Sequence, residues 1–210
     1  MATVIPLSQS SFSANRVKTP PPRQPNQASR TREHLTPDEV ERLIIAAHQV
    51  GGRVAERDAL LIMMAYRHGL RASELAGLRW DQINLKAGTL HVARRKNGSP
   101  STHPLRGPEL RALRSWKRQQ DEAAPYVFTS LRGGPMTNRT IHYVVAKAGK
   151  AAGIDFPVHP HMLRHATGFY LANAGQDTRA IQLYLGHKNI QHTVRYTELS
   201  PQRFKDFWKD

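Results

Sequence analysis

The sequence predicts a mainly helical fold with a small antiparallel β-sheet, an α+β class. Three observations carry this. Apolar residues recur at helical spacing through most of the chain after residue 34, as in Val40, Leu43, Ile44 and Ala47. Helix start and stop residues sit at the ends of these runs. Two short β-prone segments, Thr89 to Ala93 and Thr102 to Leu105, flank Lys96-Asn97-Gly98, and Asn-Gly tolerates the positive φ of a hairpin turn.

The first helix has the clearest start. Thr36 suits an N-cap, Pro37 the first helical position, and Glu39 the reciprocal place in a capping box, with Leu35 and Val40 as a hydrophobic staple. A second helix is expected from Arg57 to Arg67, burying Leu60, Leu61, Met63 and Met64, with Gly69 as its stop. A short helix should follow Arg71, turn Leu75 and Leu78 inward and end near Trp80. The hairpin comes next. Pro108 opens a helix with Leu110, Leu113 and Trp116 on one face, and Tyr126-Val127-Phe128 reads as a short strand or edge. Asn138 is the expected cap of a helix burying Ile141, Val144, Val145 and Ala148. A further helix carries His161 to about Asn173 and stops at Gly175. Thr178 caps the next, which Gly186 closes, and a last turn or helix carries Tyr196.

Residues 1–33 differ from all this. Pro20-Pro21-Pro22, many Ser, Gln and Asn, and Arg16, Lys18, Arg23, Arg30 and Arg32 leave little to bury. They read as a flexible basic arm ahead of one folded domain over 34–210. The 210 residues suffice for one sizeable core. Net charge is +15, with Lys+Arg 31 against Asp+Glu 16, which calls for a polyanionic partner and places nucleic acid first. With no cysteine, the sequence excludes a disulfide framework and cysteine-ligated metal centres. No apolar run approaches a membrane span and no secretory signal is recognisable, so a cytoplasmic location without membrane partners is expected.

The chemistry concentrates in His159-Pro160-His161-Met162-Leu163-Arg164-His165, in Leu185-Gly186-His187 and in Val194-Arg195-Tyr196-Thr197, with Arg71-Ala72-Ser73-Glu74-Leu75 far upstream. Arginine forks grip non-bridging phosphate oxygens, imidazoles move protons, and a phenol can attack phosphorus. His161 and His165 stand at i and i+4, a zinc-capable spacing. The stretch between them lacks the glutamate of a zinc-protease helix, and Arg164 would repel a metal, so no metal or other cofactor is expected.

These residues resemble the catalytic domain of the tyrosine recombinases, the phage-integrase family, over roughly residues 35–208. One box is Gly69-Leu70-Arg71-Ala72-Ser73-Glu74-Leu75 with Leu78-Arg79-Trp80-Asp81. The other is His161-Met162-Leu163-Arg164-His165, continuing to Leu185-Gly186-His187 and Thr193-Val194-Arg195-Tyr196-Thr197. Within the family, the small bacterial invertases that switch fimbrial genes are the nearest likeness, through His165 to Phe169, Gly186 to Val194 and Phe204 to Trp208. The resemblance implies the tyrosine recombinase catalytic-domain fold, here without the N-terminal core-binding domain that clamps DNA in typical members. It also implies a site-specific recombinase acting on double-stranded DNA at paired sites, as a homotetramer, with accessory DNA-bending proteins as candidate helpers.

The resemblance also implies roles for single residues, and charge and position add further candidates. Tyr196 attacks the scissile phosphate to form a 3′-phosphotyrosyl link, and His161 takes the phenolic proton. Arg71 and Arg164 hold the non-bridging oxygens, His187 adds a hydrogen bond, and Lys96 protonates the 5′-oxygen leaving group. Glu74 orients Arg71, and His165 supports the His161 helix. Arg94 and Arg95, beside Lys96, are candidate phosphate contacts, and Arg139 and Lys147 candidate DNA clamps. The tail 201–210, with Phe204, Phe207 and Trp208, docks either on its own domain or on a neighbouring subunit. Inversion of a DNA segment is the leading outcome. Integration or excision of a mobile element, a non-catalytic DNA-binding regulator, and a type IB topoisomerase-like relaxation remain as alternatives.

Overall fold

The computed structural model describes residues 32–94, 98–121 and 123–198. Residues 1–31, 95–97, 122 and 199–210 lie outside the described residues, and with them the expected basic arm, the expected Lys96 turn and the expected docking of the last ten residues.

The chain order is α1 (Pro37–Val50), α2 (Ala55–Arg67), α3 (Ala72–Ala76), β1 (Ile83–Asn84), β2 (Thr89–Val92), β3 (Ser101–Pro104), α4 (Gly107–Gln119), α5 (Asn138–Ala151), α6 (Pro160–Asn173), α7 (Thr178–Leu185) and α8 (Gln191–Glu198). The three strands form one antiparallel sheet in the order β1-β2-β3, with Leu90 opposite both Ile83 and His103. The fold is therefore mainly helical with a small antiparallel sheet.

Local chemistry explains the helix ends. The Thr36 hydroxyl accepts from the Glu39 amide at 3.3 Å, and the Glu39 carboxylate accepts from the Thr36 amide at 2.8 Å, completing the capping box. A cap of this kind contributes about 1 kcal/mol. Two caps lie one residue before the expected ones. Thr137, not Asn138, accepts from the Thr140 amide, and Asp177, not Thr178, accepts from the Ala180 amide. In each pair both residues can cap, and the helix begins at the earlier one. Residues 126–128 do not form a strand. The Val127 amide donates to the Leu78 carbonyl and the Trp80 amide to the Pro125 carbonyl, while the Trp116 indole donates to the Val127 carbonyl. That segment is an isolated bridge stapled to α4, too short for a ladder.

The main core gathers Leu43, Leu60, Leu61, Met64, Leu75, Leu90, Leu113, Phe128, Ile141, Val145 and Leu163. Helix α6 runs through its centre: every residue from Met162 to Gly168 is buried, and a helix buried all round must be packed on all sides. Its neighbours are α1, α2, α5, α7 and α8. A second cluster joins α6, α7 and α8 through Ala172, Ile181, Leu185 and Tyr196, with Phe169 and Tyr184 against it. Tyr196 is thus seated as a core residue. Among the described residues, no helix is long and apolar enough to cross a membrane.

Candidate functional site

Four elements place the polar side chains. Arg71 immediately precedes α3, because Gly69 turns the chain at φ +57° after α2. His161, Arg164 and His165 come from α6, separated by the three and four residues that share a helix face. Gly186, left-handed at φ +65°, ends α7 and delivers His187. Helix α8 returns Tyr196. Together Arg71, His161, Arg164, His165, His187 and Tyr196 line one cavity of about 360 Å³, with Gln191, His192 and Arg195 at its edge. An adjoining groove of about 600 Å³ shares Arg71, His187 and His192 and adds Arg179 and Lys188.

Each of these groups is held. Arg71 donates from Nη1 to Glu74 Oε1 at 2.8 Å, and its backbone amide donates to Glu74 Oε2 at 2.9 Å. Arg164 is 1% exposed; Nη1 donates to the Gly69 carbonyl and Nη2 to the Leu185 carbonyl at 2.6 Å. The His187 Nδ1 lies 2.8 Å from the Thr193 hydroxyl. When that hydroxyl donates, the ring carries its proton on Nε2, where a neutral imidazole can donate to an anion. The Gln182 amide donates to the His187 carbonyl at 2.9 Å and fixes the backbone of the same residue.

The tyrosine is the most constrained. It is 1% exposed, and its hydroxyl lies 2.9 Å from His165 Nδ1. Its ring packs edge-on against Phe169 and directly over Gly168, where an added Cβ would stand 2.5 Å from Tyr196 Cε2. His161 is more exposed and sits one turn earlier on α6, its ring edge-on to His165 at 4.3 Å. The phenol oxygen therefore lies on the residue expected to support the helix, and the expected proton acceptor, His161, is that residue's neighbour in the cavity lining.

The remaining expected residues fall outside the cavity or outside the described residues. Arg94, expected at phosphate, is buried behind the cavity on Glu74, because its stem follows β2 inward. Lys147 is exposed on α5, but its Nζ donates to the Val50 carbonyl at 2.7 Å, tying α5 to the end of α1. Arg139 is exposed at the start of α5, and neither residue lines the cavity. Lys96 and Arg95 lie outside the described residues. Gly168 and Thr193 lie inside stretches that carry the resemblance, but what they touch, like the inward turn of Arg94, depends on which elements pack together.

The electrostatics favour an anion. Burial, then the neighbouring Arg71 and Arg94, lower the Arg164 pKa to about 9; the guanidinium stays charged at neutral pH, and a bound anion would relieve that strain. Burial lowers both His165 and His187 to about 3, helped by His161 at the former and by Arg164 at the latter. Both are neutral near pH 7. Burial pushes the Tyr196 phenol up, against the attraction of Arg164.

His103, also lowered to about 3, joins His165 and His187. Between pH 6.5 and 3 the unfolded chain binds protons on these histidines that the folded chain refuses, so stability rises with pH there. Glu74 and Glu109, both lowered, act in the same direction at the acid end, while Asp58 opposes them. The urea midpoint is expected to fall continuously as pH drops from 6.5 towards 3. A midpoint unchanged over that window would contradict buried neutral histidines.

Comparison with known proteins agrees with this geometry. Residues 33–203 match the phage integrase family. The chain is 41% identical over 184 residues to the type 1 fimbriae regulatory protein FimB of Escherichia coli K12, covering 86% of this chain and 91% of the relative. FimE of the same organism is 40% identical over 183 residues, covering 85% and 91%. Among solved structures, the crystal structure of XerA recombinase superposes with a TM-score of 0.71 at 28% identity, over 83% of this chain; the matched region spans 63% of XerA. With two separated arginines, histidines and a seated tyrosine brought into one cavity on this fold, the chain belongs to the phage integrase family, the tyrosine recombinases.

Proposed function

We propose that the protein is a site-specific DNA recombinase that cuts and rejoins DNA through a 3′-phosphotyrosine at Tyr196, inverting the segment between paired sites. The observation that carries this reading is the cavity itself. It holds Arg71 and Arg164 over a buried phenol whose oxygen touches a neutral imidazole.

The step balances without metal or nucleotide. Tyr196 Oη attacks the scissile phosphorus while its proton passes to His165 Nδ1, next to His161. The P–O5′ bond breaks, and the 5′-oxygen leaves as a hydroxyl with a proton from a general acid, for which Lys96 is the candidate. The phosphodiester energy is retained in the phosphotyrosyl bond, so a 5′-hydroxyl from the partner strand reverses the step. Arg71 and Arg164 offset charge at the non-bridging oxygens, and His187 donates there from Nε2. General acid–base help of this kind supplies roughly 10²–10⁴-fold.

FimB and FimE, named as fimbriae regulatory proteins, cover nearly their whole length with this chain; their kinship supports a DNA switch as the outcome. Arg179 and Lys188, along the adjoining groove, extend the cationic track for the DNA backbone. The assembly on two sites would be a tetramer. Arg139 and the basic stretch 1–33 would add phosphate contacts. The protein would work on the bacterial nucleoid in the cytoplasm, with DNA-bending proteins as helpers, and the tail 201–210 would dock on a neighbouring subunit.

The test is a supercoiled plasmid library carrying genomic segments of the host, sequenced after incubation with the protein. Inversion between a few repeated sites is the expected result. Relaxation of every plasmid without rearrangement would favour a topoisomerase-like activity, and binding without either would favour a regulator.

A further inference from the structure

Beside the cavity lies a further arginine that is not part of its lining. Arg94 follows β2 and its side chain is fully buried. Nη1 donates to Glu74 Oε2 at 3.0 Å and to the Gly69 carbonyl at 3.4 Å; Nη2 donates to the His68 carbonyl at 3.2 Å and to the Tyr184 carbonyl. Two of these acceptors are shared. Glu74 also binds Arg71, and the Gly69 carbonyl also binds Arg164. The stem of Arg94 packs so closely on Gly186, next to His187, that a Cβ there would stand 2.6 Å from Arg94 Cγ. One guanidinium thus connects the loop before α3, the end of α7 and the backbone that anchors α6.

This arrangement costs the fold. The Arg94 Nε is buried with no hydrogen-bond partner among the described residues, and an unmet buried donor costs about 1–3 kcal/mol. Burial and Arg71 both work against its charge, with Glu74 as the main compensation. An apolar side chain would fill such a space with less penalty. What only a cation supplies here is a second claim on Glu74 and on the Gly69 carbonyl.

We propose that Arg94 is a positioning residue that fixes the two phosphate-gripping arginines from behind. It shares Glu74 Oε2 with the Arg71 backbone amide, so that the Arg71 guanidinium takes only Oε1 and keeps its remaining N–H groups turned to the cavity. It also completes the Gly69 carbonyl against which Arg164 is set. Without Arg94, the whole Glu74 charge falls to Arg71, which is drawn inward from the phosphate. This role rests on the recombinase reading and acts on the charge of the scissile phosphate.

The test compares two nicked substrates that trap the covalent adduct, one with a normal scissile phosphate and one with an uncharged methylphosphonate. The target duplex comes from the plasmid screen. Arg94→Met is expected to slow adduct formation on the phosphate by roughly 100-fold, the scale of a small misplacement in a reactive site. DNA affinity should stay within about threefold, and adduct formation on the methylphosphonate, which asks little of the arginines, within about threefold of wild type. In a Glu74→Gln background, where no surplus charge remains to draw Arg71 inward, the Arg94→Met defect should largely disappear. If Arg94→Met fails to fold, Arg94→Lys carries the same comparison, because one ammonium cannot hold all four acceptors. Wild-type rates on phosphate, equal losses on both substrates, or an undiminished defect with Glu74→Gln would each overturn the role. Failure of the wild type to form any adduct would instead bring down the recombinase reading, and this role with it.

Discussion

Tyr196→Phe is expected to abolish the covalent adduct completely while leaving DNA binding within about twofold of wild type, since binding to the duplex rests on phosphate contacts spread over the basic surface. The substitution keeps the ring that fills the α6–α7–α8 cluster and removes only the oxygen that lies 2.9 Å from His165 Nδ1. A buried ring nitrogen is left without that partner, so stability should drop by about 1–3 kcal/mol. Quantitative mobility shifts, denaturing gels and urea denaturation read the three consequences separately. An adduct persisting in the substituted protein would mean that another nucleophile attacks.

The second large effect is expected at Gly168. In an ordinary helix interior, glycine to alanine stabilises by about 1 kcal/mol. Here the new methyl would stand 2.5 to 2.7 Å from three atoms of the Tyr196 ring. The α6 backbone at Gly168 has little room to retreat, because every residue from Met162 to Gly168 is buried, so the ring must swing outward and lose His165. Gly168→Ala should therefore lower stability by about 1–3 kcal/mol, the usual cost of overpacking, and slow adduct formation by at least about 100-fold. DNA affinity should hold, because no basic residue moves. A variant that is both stabilised and fully active would show that the phenol reacts from another position.

The sequence carries much of this site because its chemistry is local. Arg71, Arg164, His187 and Tyr196 each sit at a helix boundary or on a helix face that spacing and capping signals locate, and the capping box at Thr36 is explicit in four residues. What spacing cannot say is which member of an i, i+4 pair the last helix meets. His161 and His165 share a face of α6, and only the docking of α8 decides that the phenol oxygen lies on His165. Arg94 is a sharper case. Beside Arg95 and Lys96 it looks like one more cation for phosphate, and nothing local reveals that it turns inward to Glu74. Strand β1 escapes for another reason: two residues have no periodicity, and they are a strand only because Ile83 and Asn84 pair with Leu90 and Thr89.

Tyr196 is expected to become joined to a DNA 3′-end. The most direct measurement is mass spectrometry of the trapped adduct after protease and nuclease digestion, with each DNA strand end-labelled. The expected product is a nucleotide 3′-phosphate carried by the peptide containing Tyr196, together with a free 5′-hydroxyl on the released strand. Attachment to a 5′-end, attachment at any other residue, or strand release with no peptide bound would contradict it.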